Sequence, residues 1–424
     1  MTTVPLSQVG KIVTGKTPKT SIADFFGGET PFVTPSDMDG RRTIHSTART
    51  LSDRGVQSVK NCVVPKGAVM VSCIGSDMGK AHIAGSRSVT NQQINTVIVA
   101  EQKYETLFVY YNLFGRRAEL RDLAAGAAQP ILNKTEFGKI VIDFPSLDEQ
   151  KSIVGLLGAL DDKIELNHRI GLTLEEMAQA LYRSWFVDFD PVHARALGRP
   201  PAHMDATTTA LFPDSFGPDD LPKGWSLAPV ASVGKCLLGG TPARKNPEFW
   251  DGDIAWINSG AINEFRIVSP SELITAEGLQ RSAAKVLPVR TTVLAITGAT
   301  LGQVSLTEIE TAANQSVVGI VSAPVFQEFI YCSIRASINN LIRHQTGGAQ
   351  QHINKGNVAE HQIINPGLDL VQAFKNFVMP MFDMIAAVQF ENRTLGIFRD
   401  SLLPRLMSGE LRIRDAEKQV EEVV

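Results

Sequence analysis

The stretch VGKIVTGKTPKTSIADFFGGETPF, Val9 to Phe32, returns in altered form 224 residues later as VGKCLLGGTPARKNPEFWDGDIAW, Val233 to Trp256. The offset pairs Gly15 with Gly239, Thr17-Pro18 with Thr241-Pro242, Gly28 with Gly252 and Phe32 with Trp256. Two further blocks follow in the same order. VPKGAVMVSCIGSDMGKAHIAGSRSVTNQQINTVIV from Val64 matches LPVRTTVLAITGATLGQVSLTEIETAANQSVVGIV from Leu287, and GAAQPILNKTEF from Gly126 matches GGAQQHINKGNV from Gly347. Three ordered blocks at a nearly constant offset make the chain an internal duplication, and a duplication constrains the architecture before any single motif does.

Each copy has the grammar of a small α+β domain. Apolar runs bounded by Gly, Asn and Ser read as strands: Ala68 to Ile74 and Thr96 to Val99 in the first copy, Thr292 to Ile296 and Val317 to Val321 in the second. Residues 105 to 125 and 326 to 343 read as a helix late in each domain. Behind each copy runs a longer helical pattern. Ser146 and Glu149 form an S-x-x-E capping box behind Pro145, so a helix starts there. A seam then steps by alternating fours and threes through Ile153, Leu157, Leu160, Ile164, Asn167, Gly171, Leu174, Ala178 and Leu181. After Pro366 a matching seam runs Val371, Phe374, Val378, Met381, Ile385, Val388, Asn392, Leu395, Arg399, Leu402 and Leu406. Two matched seams of this length predict helices that pack on each other as a coiled coil, with Asn167 and Asn392 as polar register marks. Pro380 and Pro404 predict a kink or a break in the second helix.

The resulting fold class is α+β: two similar domains, 1–145 and 223–366, alternating with two long helical regions, 146–195 and 367–411. Residues 196–222, rich in Pro, Thr and Asp and without an apolar period, are expected to be a linker. Residues 412–424 are expected to be a charged tail that frays.

At 43% apolar and 20% charged residues, the 424-residue chain is neither disordered nor collagen-like. No apolar run approaches the ~20 residues of a membrane span, and the opening MTTVPLSQVGKIV lacks the regions of a signal peptide. A cytoplasmic chain without a membrane partner is expected. Cys62, Cys73, Cys236 and Cys332 form no CxxC pair and have no His at zinc spacing, so buried small hydrophobes are expected and no metal site. The net charge of -3 hides +5 over residues 1 to 145 and -5 over 146 to 190, so overall charge argues neither for nor against a nucleic-acid partner.

Catalytic signatures fail on context. Gly10 to Thr17 fits G-x-x-x-x-G-K-[ST], but no buried strand precedes it, Pro18 follows, and the second copy's GKCLLGGT has lost the lysine. Glu101 and Lys103 make an E-x-K triplet, with Asp77 upstream as a second carboxylate of a nuclease; the second copy has no counterpart. No HExxH, GxSxG or NPPY-like string is present. No catalytic residue is assigned, and the chain is expected not to be an enzyme.

What remains is polar equipment for DNA, since Asn and Gln pair with adenine, Arg with guanine, and Lys with phosphate. Candidates in the first copy are Lys16, Lys19, Arg41, Arg42, the cluster Asn91, Gln92 and Gln93, and the cluster Gln129, Asn133 and Lys134. In the second they are Arg244, Lys245, Asn246, Asn314, Gln315, Gln350, Gln351, His352, Asn354 and Lys355. Residues shared by both copies also suit the capping of turns. Positions that differ, among them Arg41, Arg42, Arg244 and Lys245, are better placed to read different sequences.

The arrangement closely resembles the specificity subunit of type I restriction-modification systems. The resemblance is carried by GKTP (Gly15 to Pro18) and GGTP (Gly239 to Pro242), NPEFWDGDIAWI (Asn246 to Ile257), the paired Gly-x-x-x-Gly and Asn-Gln blocks, ALYRSWFVDFDPV (Ala180 to Val192) and LLPRLMSGEL (Leu402 to Leu411). The first copy's SIADFFGGETPFV matches only loosely. The resemblance implies two target recognition domains, each reading half of a bipartite sequence in double-stranded DNA. It implies that the helical regions pair antiparallel and dock two modification (methyltransferase) subunits, joined by two restriction (translocase-nuclease) subunits. S-adenosylmethionine, ATP and magnesium would belong to those partners, with no cofactor in this chain. The alternatives are a DNA-binding scaffold for another modification system and a P-loop nucleotide-binding enzyme.

Overall fold

The computed structural model describes residues 2–123, 131–343 and 352–421. The chain forms two compact units, residues 1–166 with 394–424, and residues 167–393. Each holds one copy of the repeat and part of both long helices.

In the first unit Gly10–Thr14, Ile94–Val99, Val69–Ser72, Ala81–Ala84 and Thr43–Ile44 line up in that order as a five-stranded sheet, antiparallel except for the last pair. A four-stranded sheet runs Thr50–Leu51, Phe26–Val33, Ser88–Thr90, Val63–Val64, and Thr2–Pro5 pairs with Val141–Phe144. Val69–Ser72 and Ala81–Ala84 are buried at every position, which is why Ala68 to Ile74 reads as a continuous apolar run rather than alternation. The helix Thr106–Phe114 packs Phe108, Val109 and Tyr111 into a core that continues to Leu157 and Leu160 of one long helix and Leu395, Leu402 and Leu406 of the other.

The second unit repeats this arrangement. Its five-stranded sheet runs Gly234–Leu238, Val317–Ser322, Thr292–Ala295, Val304–Thr307, Arg266–Ile267, and its four-stranded sheet runs Glu272–Ile274, Trp250–Ile257, Thr311–Ala313, Val286–Leu287. Ser226–Pro229 pairs with Gln362–Asn365. Strand order and the position of the parallel pair agree in both copies. The shared glycines follow from close approach: a Cβ on Gly15 would lie 2.1 Å from the carbonyl oxygen of Asn91, and one on Gly239 2.1 Å from that of Asn314.

The long helices, Leu147–Phe186 and Leu368–Met407, are 40 residues each. Ser146 Oγ accepts from the Glu149 amide at 3.3 Å, so the first helix starts where the serine of the expected capping box caps it. Within the second unit the helices are antiparallel, since Asn167 meets Glu391 while Trp185, eighteen residues on, meets Phe374 and Phe377. Within the first unit Asp161 of one helix binds Arg399 of the other at 2.6 Å.

Three expectations are corrected. The second long helix is assigned without interruption through Pro380 and Pro404, so it is not broken into segments. Both prolines are exposed, where water can satisfy the carbonyl that each leaves unpaired, and buried Val378, Phe382, Leu403 and Leu406 hold the helix around them. The tail does not simply fray. Ile413–Glu421 is a helix whose Ala416 is buried and whose Ile413 and Val420 pack on the first unit's core, a spacing of three and four that puts them on one face. The linker is also partly ordered: Ala206–Leu211 is a helix capped by Asp205, and Phe212 is buried edge-on against Trp185 at 5.1 Å. Among the described residues no helix is long and apolar enough to cross a membrane.

Candidate nucleic-acid interface

The shared turn brings the Thr-Pro and Asn-Gln motifs together in both copies. Thr17 Oγ1 donates to Gln92 Oε1 at 2.7 Å, and Thr241 Oγ1 to Gln315 Oε1 at 2.5 Å. Gln92 and Gln315 are exposed, with Lys16 and Lys19 on the same turn of the first copy. Asn91 is buried and spent on its own loop, accepting from the Gln93 amide and donating to Gln93 Oε1 at 2.9 Å. Asn314 likewise accepts from the Ser316 amide at 3.0 Å. The nucleotide reading of Gly10 to Thr17 fails on the same geometry. Gly10–Thr14 is a strand, and the amides of Gly15 and Lys16 donate to Ile94 and Thr90, which leaves no nest for phosphate. Glu101 and Lys103 lie in an exposed turn beyond a strand end, and Asp77 pairs with Lys80 at 2.7 Å.

Several candidates have partners within their own unit. Asn133 caps the helix Lys134–Lys139 by accepting from the amides of Thr135 and Glu136 at 2.9 and 3.0 Å. Asn354 and Asn357 form a reciprocal capping box on Lys355–Glu360. Asn246 closes a turn through its backbone. Arg42 is engaged within its own unit, its guanidinium holding Asp162 of the first long helix at 2.5 Å. Arg41 pairs with Asp39 at 2.7 Å. Arg244 lies 3.7 Å over the Trp250 ring while both its Nη atoms donate to Glu272. The first copy has a matching stack that the sequence reading missed, Arg49 over Phe26 at 4.3 Å; its signal was only the repeat-equivalence of Phe26 and Trp250. Lys134, Lys245, His352 and Lys355 are exposed. Gln129, Gln350 and Gln351 lie outside the described residues.

Along the helices, Ile153, Leu157, Leu160, Val378, Ile385, Leu395 and Leu402 are buried, and Ile164, Leu174, Leu181 and Met381 half-buried. Asn167 is buried and donates to Glu391 at 2.6 Å, so its partner is this carboxylate rather than Asn392, which is half-buried. Towards the domains the packing adds residues outside the seam to the seam's Phe374. Tyr182, Trp185, Phe186, Phe374 and Phe329 form one aromatic cluster in the second unit, with centroid separations of 5.1 to 6.3 Å.

Polar and charged groups, of which only Arg399 stood in the seam, lie at the junction of each domain with its helices. In the first unit Tyr111 Oη donates to the buried Asp161 at 2.7 Å, which also receives Arg399. In the second, fully buried Arg266 contacts Glu175 and Glu308 at 3.0 and 3.3 Å. Burial pushes Glu308 up to about 7 against the pull of Arg290 and Arg266. It pushes His82 down to about 4; the ring's Nδ1 bonds the Arg41 carbonyl at 2.6 Å.

The family model described as type I restriction modification DNA specificity domain matches residues 1–176 and 222–373. The MjaIX type I restriction enzyme specificity subunit of Methanocaldococcus jannaschii is 23% identical over 419 residues, covering 97% of this chain and 93% of the relative. The HindI specificity subunit of Haemophilus influenzae is 25% identical, covering 90% and 94%. The crystal structure of a type I restriction-modification S subunit from M. genitalium superposes with a TM-score of 0.54 at 13% identity over 96% of this chain and 95% of that one, a likeness of fold. Matched twice by that model, once on each copy of its repeat, the chain belongs to the type I restriction-modification DNA specificity family.

Proposed function

We propose that the chain is the non-catalytic, sequence-reading subunit of a type I restriction-modification enzyme. The observation that carries this reading is the duplication of one recognition fold in two units, each built on the long helices. Residues 1–145 read one half of a bipartite target in double-stranded DNA and 223–366 the other. Lys16, Lys19, Gln92 and Lys134 serve the first, and Lys245, Gln315, His352 and Lys355 the second, with lysines on phosphates. The helical regions 146–195 and 367–411 dock two modification subunits, for which exposed Leu172, Met177, Phe377, Met384 and Ile397 supply apolar contact. Two restriction subunits complete the enzyme. S-adenosylmethionine, ATP and magnesium are held by those partners, where methyl transfer and DNA cleavage take place. The modest net charge of the domains, +5 over 1–145 and +1 over 223–366, fits a chain that needs its partners' phosphate contacts for tight binding.

The test is methylome sequencing of a host lacking its own systems that expresses this chain with its cognate modification subunit. Methylated adenines in one two-part motif, absent when either protein is omitted, are expected. Methylation without this chain, or a motif with no gap, would refute the reading.

A further inference from the structure

We propose that Glu175 and Arg266 are positioning residues that lock the second recognition domain onto the first long helix at one angle, and so set how that domain meets DNA. The inference rests on the DNA-reading function proposed above.

Arg266 sits on the edge strand of the five-stranded sheet, with its side chain fully buried. Its Nη1 donates to the Phe265 carbonyl at 2.8 Å and to Tyr331 Oη at 2.9 Å. Its guanidinium faces the rings of Tyr331 and, from the second long helix, Phe382, at 4.7 and 4.6 Å. Glu175 of the first long helix lies 3.0 Å from its Nη2 and is also bound by Arg335 at 2.9 Å, which in turn donates to Tyr331 Oη. One planar cation therefore joins a strand and a helix of the domain to both long helices.

Stability is a poor explanation for this cluster. Burying such ions costs several kcal/mol each, and an apolar set of similar volume commonly serves as well or better. The geometry is not tuned for strength either. Nη2 of Arg266 meets Oε2 of Glu175, and its Nε meets Oε1 of Glu308, at ion-pair distance without hydrogen-bond alignment. What a guanidinium between carboxylates supplies is direction, because its donors lie in one plane at fixed angles. The first unit ties its domain to the same helix by different means. Tyr111 donates to Asp161 and Arg42 binds Asp162. Arg42 is not the repeat equivalent of Arg266: strand register pairs Arg266 with Leu306 and Thr43 with Ile83, and Leu306 and Ile83 are the matched positions. Both copies thus meet acids of the first long helix through domain arginines; the first adds a direct tyrosine bond, whereas in the second Tyr331 accepts from the arginines instead.

The test uses the chain assembled with its modification subunits. Three proteins are compared: wild type, Glu175→Gln, and the paired change Glu175→Met with Arg266→Met. The measurements are melting temperature, KM and kcat for methylation of the motif found by methylome sequencing, and tolerance of spacers one base pair longer or shorter. The paired variant, in which Glu308 keeps Arg290 at 2.9 Å, should melt close to wild type, yet its KM for DNA should rise about tenfold, equivalent to ~1.4 kcal/mol, with kcat little changed. Altered spacers should be methylated better relative to the native one, and the bases read by the first domain should be unchanged. A merely structural role would lower melting temperature and the active fraction together, leaving KM and spacer preference as in wild type. That outcome overturns the proposal. If the paired variant does not fold, Glu175→Gln decides: a KM increase of about threefold or more supports the proposal, and a wild-type KM with wild-type spacer preference overturns it. A wild-type complex without a two-part motif refutes the DNA-reading function, and this inference with it.

Discussion

Phe374 is the side chain on which the second unit's core turns. It is fully buried, and its ring lies 5.3 Å from Phe186, 5.8 Å from Tyr182, 5.9 Å from Trp185 and 6.3 Å from Phe329. Phe374→Ala empties the junction of two long helices and a domain helix at once. A buried Phe→Ala change costs about 3–5 kcal/mol, and lost ring-edge contacts push it towards the upper end. With a urea m-value of about 2–3 kcal/mol/M, the midpoint should fall by about 1.5–2 M. All four tryptophans, Trp185, Trp225, Trp250 and Trp256, lie in the second unit, so intrinsic fluorescence reports that unit alone. Phe108→Ala removes the same volume from the first unit's core, and should move the circular-dichroism transition while leaving the fluorescence midpoint within about 0.3 M. A fluorescence shift below about 0.5 M for Phe374→Ala, or equal shifts for the two variants, would refute the reading of two separately packed cores.

Three other outcomes follow from particular contacts. Because burial holds His82 down to about 4 while the unfolded residue titrates near 6.5, the unfolded chain binds more protons between those values and stability falls as pH drops through that window. His82→Ser, the residue of the second copy at Ser305, should remove up to about 3 kcal/mol of acid sensitivity, read as a flatter dependence of melting temperature on pH from 7 to 4. Ile385→Glu puts a carboxylate at a fully buried seam position and should cost several kcal/mol and abolish co-purification with the modification subunit; a normal yield of active complex would show that the seam does not hold the helices. Removing residues 412–424 strips Ile413, Ala416 and Val420 from the first unit's core and should destabilise that unit by about 2–3 kcal/mol, with the tryptophan midpoint unmoved.

The duplication and the helical seams were legible because each is written in short-range regularities. Gly15 and Gly239 are glycines because no Cβ fits against the facing carbonyl, so the same constraint leaves the same letter in both copies. The seam is legible because Leu157, Leu160, Val378 and Ile385 must all face inward, and 3.6 residues per turn converts that demand into spacing. The tail was missed although it obeys the same rule. Ile413, Ala416 and Val420 are too few, among eight charged or polar neighbours, to stand out before the surface they cover is known.

The candidate interface was harder to read, because a polar residue at a repeated position answers to two demands. Shared Asn91, Asn314, Asn133 and Asn354 satisfy backbone amides of their own loops and helix ends, so their recurrence reflects the fold. Divergence between copies does not by itself identify the residues that read DNA. Arg42 differs from its counterpart because its domain meets Asp162 of the helix, and Arg266 differs because its own meets Glu175. A position therefore varies either because it faces a different half-site or because it faces a different stretch of the same helix. Only burial separates the two: Arg266 is wholly enclosed and Arg42 mostly so, whereas Lys16, Lys19 and Lys245 stand in solvent, where a DNA backbone can reach them.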